Sequence, residues 1–189
     1  MISATLSAFS AGTILGWSSP ALPKLEALDS PVLISVEEGS WLGSLVTLGA
    51  MMGAAPAGML GQWIGRRRFL ASLALPLLVS WLLVAFGQTF GALATGRFIG
   101  GLATGAVSVA APVYCAEISE QRCRGALGTL FQLQLVIGIL FAYIVGATAP
   151  LQCFALTCAL VPVLFFVTFV WMPETPPFLL ARCVLFCIN

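Results

Sequence analysis

Histidine is absent from this 189-residue chain, and charge is scarce: eight basic and seven acidic side chains in all. Without histidine there is no imidazole to act as base, proton shuttle or metal ligand. Six cysteines (115, 123, 153, 158, 183 and 187) form no CxxC pair, so neither a disulfide framework nor a metal site is expected. Cys115, Cys153 and Cys158 lie in apolar runs and read as apolar filler. The single asparagine, Asn189, leaves no Asn-x-Ser/Thr acceptor. No nucleophile–base pair and no phosphate loop occurs, so no catalytic residue, cofactor or enzymatic activity is expected. A net charge of +1, with basic residues in short clusters beside apolar runs, leaves no footprint for nucleic acid.

What remains defines the solvent. Charged residues make up 8% of the chain against about 25% in soluble domains, while 60% are hydrophobic and the mean hydropathy is +1.05. The chain therefore reads as an integral membrane protein whose first partner is the lipid bilayer. Residues 1–23, 39–65, 69–96, 98–116 and 125–173 contain no Asp, Glu, Lys or Arg. A helix needs about 20 apolar residues to cross the hydrocarbon, and the last run is long enough for two. Pro150, after Gly146-Ala147-Thr148-Ala149, divides it. Six transmembrane helices are expected, at roughly 1–18, 41–61, 69–87, 93–115, 126–148 and 152–172. The fold class is all-α, since nothing alternates as a membrane strand would.

Arginines set the expected orientation. Arg66, Arg67 and Arg68 follow the second span, Arg122 and Arg124 the fourth, and Arg182 the sixth; Lys24 and Arg97 lie towards the other side. Both termini are thus expected in the cytoplasm, in the plasma membrane, with an acidic outer loop of Glu26, Asp29, Glu37 and Glu38. Trp17, Trp41, Trp63 and Trp171 fall near span ends as interfacial anchors. The first span starts at Met1 without a basic leader, and the tail ARCVLFCIN stops soon after the sixth, so both ends read as cut. The expected organisation is a domain of residues 1–172 with a truncated tail, 173–189.

Small residues indicate close packing. Gly49-x-x-x-Gly53, Gly96-x-x-x-Gly100 and Gly101-x-x-x-Gly105 let backbones approach; in a six-span chain packing within the chain is expected, with a dimer contact as the alternative. Charge gathers at the arginine-rich end in GMLGQWIGRRR (58–68), PVYCAEISEQRCRGALGTL (112–130) and PETPPFLL (173–180). Arg66, Arg67, Glu117, Arg124 and Glu174 are placed for a charge network there. The plainer reading is that the arginines set topology and the acids solubilise loops; it leaves unexplained why an acid recurs past the fourth and sixth spans.

The ordered series GxxxxxxGRR, GRFIGG, PVYxxEI, RGALGTLxQL and PETP, with LGWSSPALPKL at 15–25, resembles the sugar-porter branch of the major facilitator superfamily. That branch includes animal facilitative glucose transporters and insect trehalose transporters. The resemblance runs to about Leu180. It implies the N-terminal six-helix half of a twelve-helix carrier, itself a 3+3 inverted repeat, with sugar bound near midplane between halves. It also implies a missing partner: the C-terminal six helices or another carrier chain.

By the same resemblance Gln132 is a sugar contact, which suits an amide that both donates to and accepts from hydroxyls. Leu135, Val136 and Ile139 share its helical face. The alternative for Gln132 is a hydrogen bond between helices. The resemblance further implies a cytoplasmic gate of Gly58, Gly65, Arg66, Arg67, Glu117, Arg124 and Glu174. Arg97 matches the family's GRF arginine, expected to snorkel or to pair with Glu37 or Glu38.

Departures from the pattern are Gln62-Trp63 before Ile64-Gly65-Arg66-Arg67 and Pro177 after PETP, each removing a gate charge the family usually has. Proton-driven members place a carboxylate in the first helix; residues 1–23 have none. Facilitated diffusion of a hexose or disaccharide by alternating access is therefore expected. Three alternatives stand beside it: a fragment of a proton-coupled symporter, a non-transporting chain that associates with full-length carriers, and a half-carrier that dimerises.

Overall fold

The computed structural model describes residues 2–26, 34–119 and 124–171. Among these are eight helical segments: α1 (Ile2–Gly16), α2 (Ser18–Glu26), α3 (Val36–Ile64), α4 (Arg66–Ser72), α5 (Ala74–Phe86), α6 (Phe90–Ile118), α7 (Arg124–Thr148) and α8 (Leu151–Phe169). No strand occurs among the described residues.

Six continuous spans are expected from the charge-free runs; among the described residues five helices are long and apolar enough to cross a bilayer, counting α4 and α5 together as Arg66–Phe86. The first span is the exception. Its 15-residue α1 gives about 22 Å of helix, less than the hydrocarbon thickness of about 30 Å. The path turns at Trp17 and continues as α2. Pro20 in the first turn of α2 explains the break, since its missing N–H leaves a carbonyl of the preceding turn unpaired. The third span is interrupted at Leu73 for the same reason, with Pro76 in the first turn of α5.

Capping sets the other ends. Ser35 and Glu38 form a reciprocal capping box at the start of α3, with Glu38 N donating to Ser35 Oγ (3.2 Å) and Ser35 N to Glu38 Oε2 (2.9 Å). Thr89 caps α6 through Ala92 N at 3.3 Å. Between α3 and α4 stands Gly65, with φ 101° the only positive-φ residue among those described. Within the spans, hydroxyls donate to carbonyls of their own helix, as Ser44 does to Ser40 and Thr168 to Leu164. Lipid offers them no other acceptor.

The helices pack in a pattern with internal symmetry. α3 lies along α6 and α1 along α7; α5 touches α6, α1 touches α8, and two self-related pairs, α1–α6 and α5–α8, complete the bundle. Exchanging the first three spans for the last three leaves this pattern unchanged, as an inverted repeat requires. The two longest seams are made of glycine on both sides. A Cβ added at Gly49 or Gly53 would overlap the carbonyls of Phe98 and Leu102, and one at Gly101 or Gly105 those of Val46 and Ala50. In the α1–α7 seam, Gly12 abuts the Leu135 carbonyl and Gly138 that of Phe9. The GxxxG motifs thus pack within the chain, with Gly96 and Gly100 set against Ser80 of α5.

Candidate functional site

At the arginine-rich end, the Gly65 turn projects the first two residues of α4 in different directions. Arg66 Nε lies 3.2 Å from Glu117 Oε1 on α6, and Arg66 also donates to the Gly58 carbonyl at 3.4 Å. The pair is half-sheltered, with side chains 12% and 23% exposed. Glu117 sits in the last turn of α6, where the helix dipole disfavours an anion, and Arg66 offsets that cost. Gly61 keeps the space open: a Cβ there would come within 3.1 Å of the guanidinium. Arg67 donates to the Val170 carbonyl at the end of α8. Two adjacent arginines therefore fasten the α3–α4 corner to both α6 and α8.

Other expected members of the network stand apart or outside. Gly58 has open space around it and contributes its carbonyl to Arg66. Arg124 begins α7, but its side chain lies outside the described residues, as does Glu174.

The expected sugar-facing residues occupy two environments. Gln132 and Val136 are exposed on α7. Leu135 and Ile139 are half-buried, with Leu135 O against Gly12 and Ile139 O against Gly16 of α1. Helical spacing puts all four on one side, yet that side straddles the edge of the α1–α7 seam.

Arg97 differs from expectation. It is 2% exposed and pairs with neither Glu37 nor Glu38. Its Nη1 donates to the Ile14 carbonyl (2.9 Å) and its Nη2 to Ser18 Oγ (2.8 Å), while the guanidinium carbon lies 4.5 Å from the centre of the Trp17 ring. Trp17 is accordingly fully buried and not an interfacial anchor, whereas Trp41, Trp63 and Trp171 are 59%, 83% and 88% exposed. The break between α1 and α2 explains the arginine: the last carbonyls of α1 lose helical donors, and a fixed cation meets them.

Lys24 does the same for α7, donating to the carbonyls of Gly146 and Ala149 (2.6 Å for the latter). Sequence reasoning missed this pair of cationic caps, having read Lys24 only for topology and Arg97 as a snorkelling or Glu37/Glu38-paired side chain. It also missed Gly12-x-x-x-Gly16, which carried the same small-residue signal as the motifs it used. Of the cysteines, 115 and 158 are buried as expected and 153 is exposed; none of the three forms a disulfide.

The family model for "Sugar (and other) transporter" matches residues 4–183. The chain belongs to the sugar transporter family. It is 38% identical over 184 residues to the cattle (Bos taurus) "Solute carrier family 2, facilitated glucose transporter member 8", covering 95% of this chain and 38% of that protein. It is 36% identical over 162 residues to the silkworm (Bombyx mori) "Facilitated trehalose transporter Tret1", covering 85% of this chain and 31% of the relative. The chain thus spans under two fifths of the length of these sugar transporter relatives. Among solved structures it is similar to the partially occluded, inward-open form of the xylose transporter XylE from E. coli. There the TM-score is 0.79 and the identity 21%, over 96% of this chain and 50% of that one. The likeness shows the fold, an all-α major facilitator bundle, and with the apolar helices it makes this family member a multi-pass membrane protein.

Proposed function

We propose that the chain forms the N-terminal half of a facilitative sugar carrier, residues 1–172 supplying the transmembrane half and residues beyond them a cytoplasmic tail. The observation that carries the reading is the family match across residues 4–183, with relatives whose names specify glucose and trehalose transport. Sugar, a hexose or a disaccharide, meets this half at exposed Gln132, beside Val136 and the edge formed by Leu135 and Ile139. The second half, six further helices or another carrier chain, supplies the other wall.

Alternating access asks for a joint that closes one end and releases. The half-sheltered Arg66–Glu117 pair supports that role, because it is strong enough to order the corner and exposed enough to be given up. Arg67, Arg124 and Glu174 complete the gate, with Gly58 and Gly65 leaving the corner free of side chains. In this reading the arginine-rich end and both termini are cytoplasmic and the membrane is the plasma membrane.

Uniport is favoured by the company Arg97 keeps. Its partners, Ile14 O, Ser18 Oγ and the Trp17 ring, are all neutral, and residues 1–23 have no carboxylate to carry a coupled proton. Uptake of labelled glucose and trehalose into vesicles tests the proposal. Transport is expected when the chain is co-reconstituted with a complementary six-helix half, and not with the chain alone. Uptake by the chain alone indicates a dimeric half-carrier. No uptake in either case, with inhibition of a co-reconstituted full-length carrier, indicates a non-transporting partner.

A further inference from the structure

α5 and α8 leave between them an open groove of about 530 Å³ that the carrier reading does not use. Its floor is the buried pair Ala74 and Pro162, and its walls are Leu75, Leu78, Val163 and Phe166. Leu75 and Phe166 remain 68% and 48% exposed. The one hydroxyl in the lining, Ser72, already donates to the Phe69 carbonyl at 2.7 Å. The groove therefore offers hydrocarbon contact and no hydrogen bond.

Its dimensions and its end select the occupant. From Ala71 to Leu78 the groove follows about 10 Å of helix, against about 15 Å for one leaflet of hydrocarbon. Arg68 precedes Ala71 and Ser72 by three and four residues, so it lies on the same helical face, one turn beyond the groove. Exposed Trp171, next to the Val170 carbonyl that Arg67 binds, marks this end as the interfacial level. Three arginines stand here against one carboxylate, Glu117, among the described residues.

We propose that this groove holds one acyl chain of an anionic glycerophospholipid whose headgroup phosphate is bound by Arg68. Apolar lining selects the chain, and the excess of guanidinium at its mouth selects negative over zwitterionic headgroups.

Native mass spectrometry of the detergent-purified 189-residue chain tests this, using phosphatidylglycerol and phosphatidylcholine with identical acyl chains. Phosphatidylglycerol is expected to be retained about fivefold over phosphatidylcholine, the preference of about one near-surface arginine. Arg68→Gln brings the ratio close to one while both lipids still bind. Ala71→Phe fills the groove and lowers retention of both; Val163→Phe, on the opposite wall, repeats the reading if the first variant fails to fold. Soluble glycerol phosphate leaves bound lipid in place. The proposal is overturned by a preference that survives Arg68→Gln, by unchanged retention in both filled variants, or by displacement of the lipid with glycerol phosphate, which would mark an anion site alone.

Discussion

Replacing Arg97 by methionine removes a buried cation and, on general grounds, ought to help a membrane helix. A charge at the bilayer centre costs about 2.5–3.5 kcal/mol on insertion scales, an upper figure for a residue two turns from the start of α6. The structure argues the opposite outcome. Arg97 makes two charge-assisted hydrogen bonds, at 2.9 and 2.8 Å, each contributing at least about 1.5 kcal/mol. Its cation–π contact with buried Trp17 adds about 1–2 kcal/mol. The unpartnered Nε subtracts something, but methionine would also strand the Ile14 carbonyl at a cost of about 1–3 kcal/mol. The balance is a loss of about 2 kcal/mol, read as a fall of about 4–8 °C in Tm for a chain of this size. Thermal unfolding in detergent, followed by tryptophan emission, measures it. A cycle with Ser18→Ala is expected to return a coupling of about 1.5 kcal/mol for the Nη2–Oγ bond. An unchanged or raised Tm in Arg97→Met would refute the reasoning, showing that the ion costs more than its contacts return.

Valine at Gly53 or Gly105 drives a side chain into the facing backbone, so neither variant is expected to yield monodisperse protein, whereas Gly58→Ala gains about 0.5–1 kcal/mol in an open helix position; size-exclusion profiles and melting curves separate them. Alanine at Gly65 is strained at φ 101° and is expected to lower stability by about 1–2 kcal/mol in the same melts. A double-mutant cycle of Arg66→Gln with Glu117→Gln is expected to show coupling of no more than about 1 kcal/mol in stability, as suits a partly screened pair. The same variants are expected to speed amide hydrogen exchange across residues 58–66, and a coupling near zero with unchanged exchange would remove the joint from the account.

Much of the architecture was legible in runs without charge, because a bilayer penalises charge so heavily that its absence marks a span. The last five of the six expected spans match α3 to α8 to within a few residues at most ends, with a capping box extending α3 outward and a threonine cap extending α6. The breaks at Trp17 and Leu73 were not read, although Pro20 and Pro76 stand in the sequence. Hydropathy is blind to a missing amide. Trp17 was misjudged because an interfacial and a buried tryptophan look alike until the neighbour is known, and that neighbour, Arg97, lies 80 residues away in the chain. The same long-range closure hid the capping of α7 by Lys24. At the site, spacing grouped Gln132 with Leu135 and Ile139 on one face, and it could not tell that α1 covers part of that face. Sequence placed Arg66 and Glu117 at the same end of the bundle, in a group with Arg67, Arg124 and Glu174, and only the packing of α4 on α6 shows that these two meet.

The central claim is that this chain is half of a carrier that equilibrates sugar and does not pump it. Vesicles holding the chain with a complementary six-helix half, given labelled glucose outside and an inward proton gradient, test it most directly. The account predicts that internal sugar rises to the external concentration and stops there, at a rate unchanged by a protonophore at constant membrane potential and lowered by Gln132→Leu. Accumulation above the external concentration that collapses with the protonophore would contradict it.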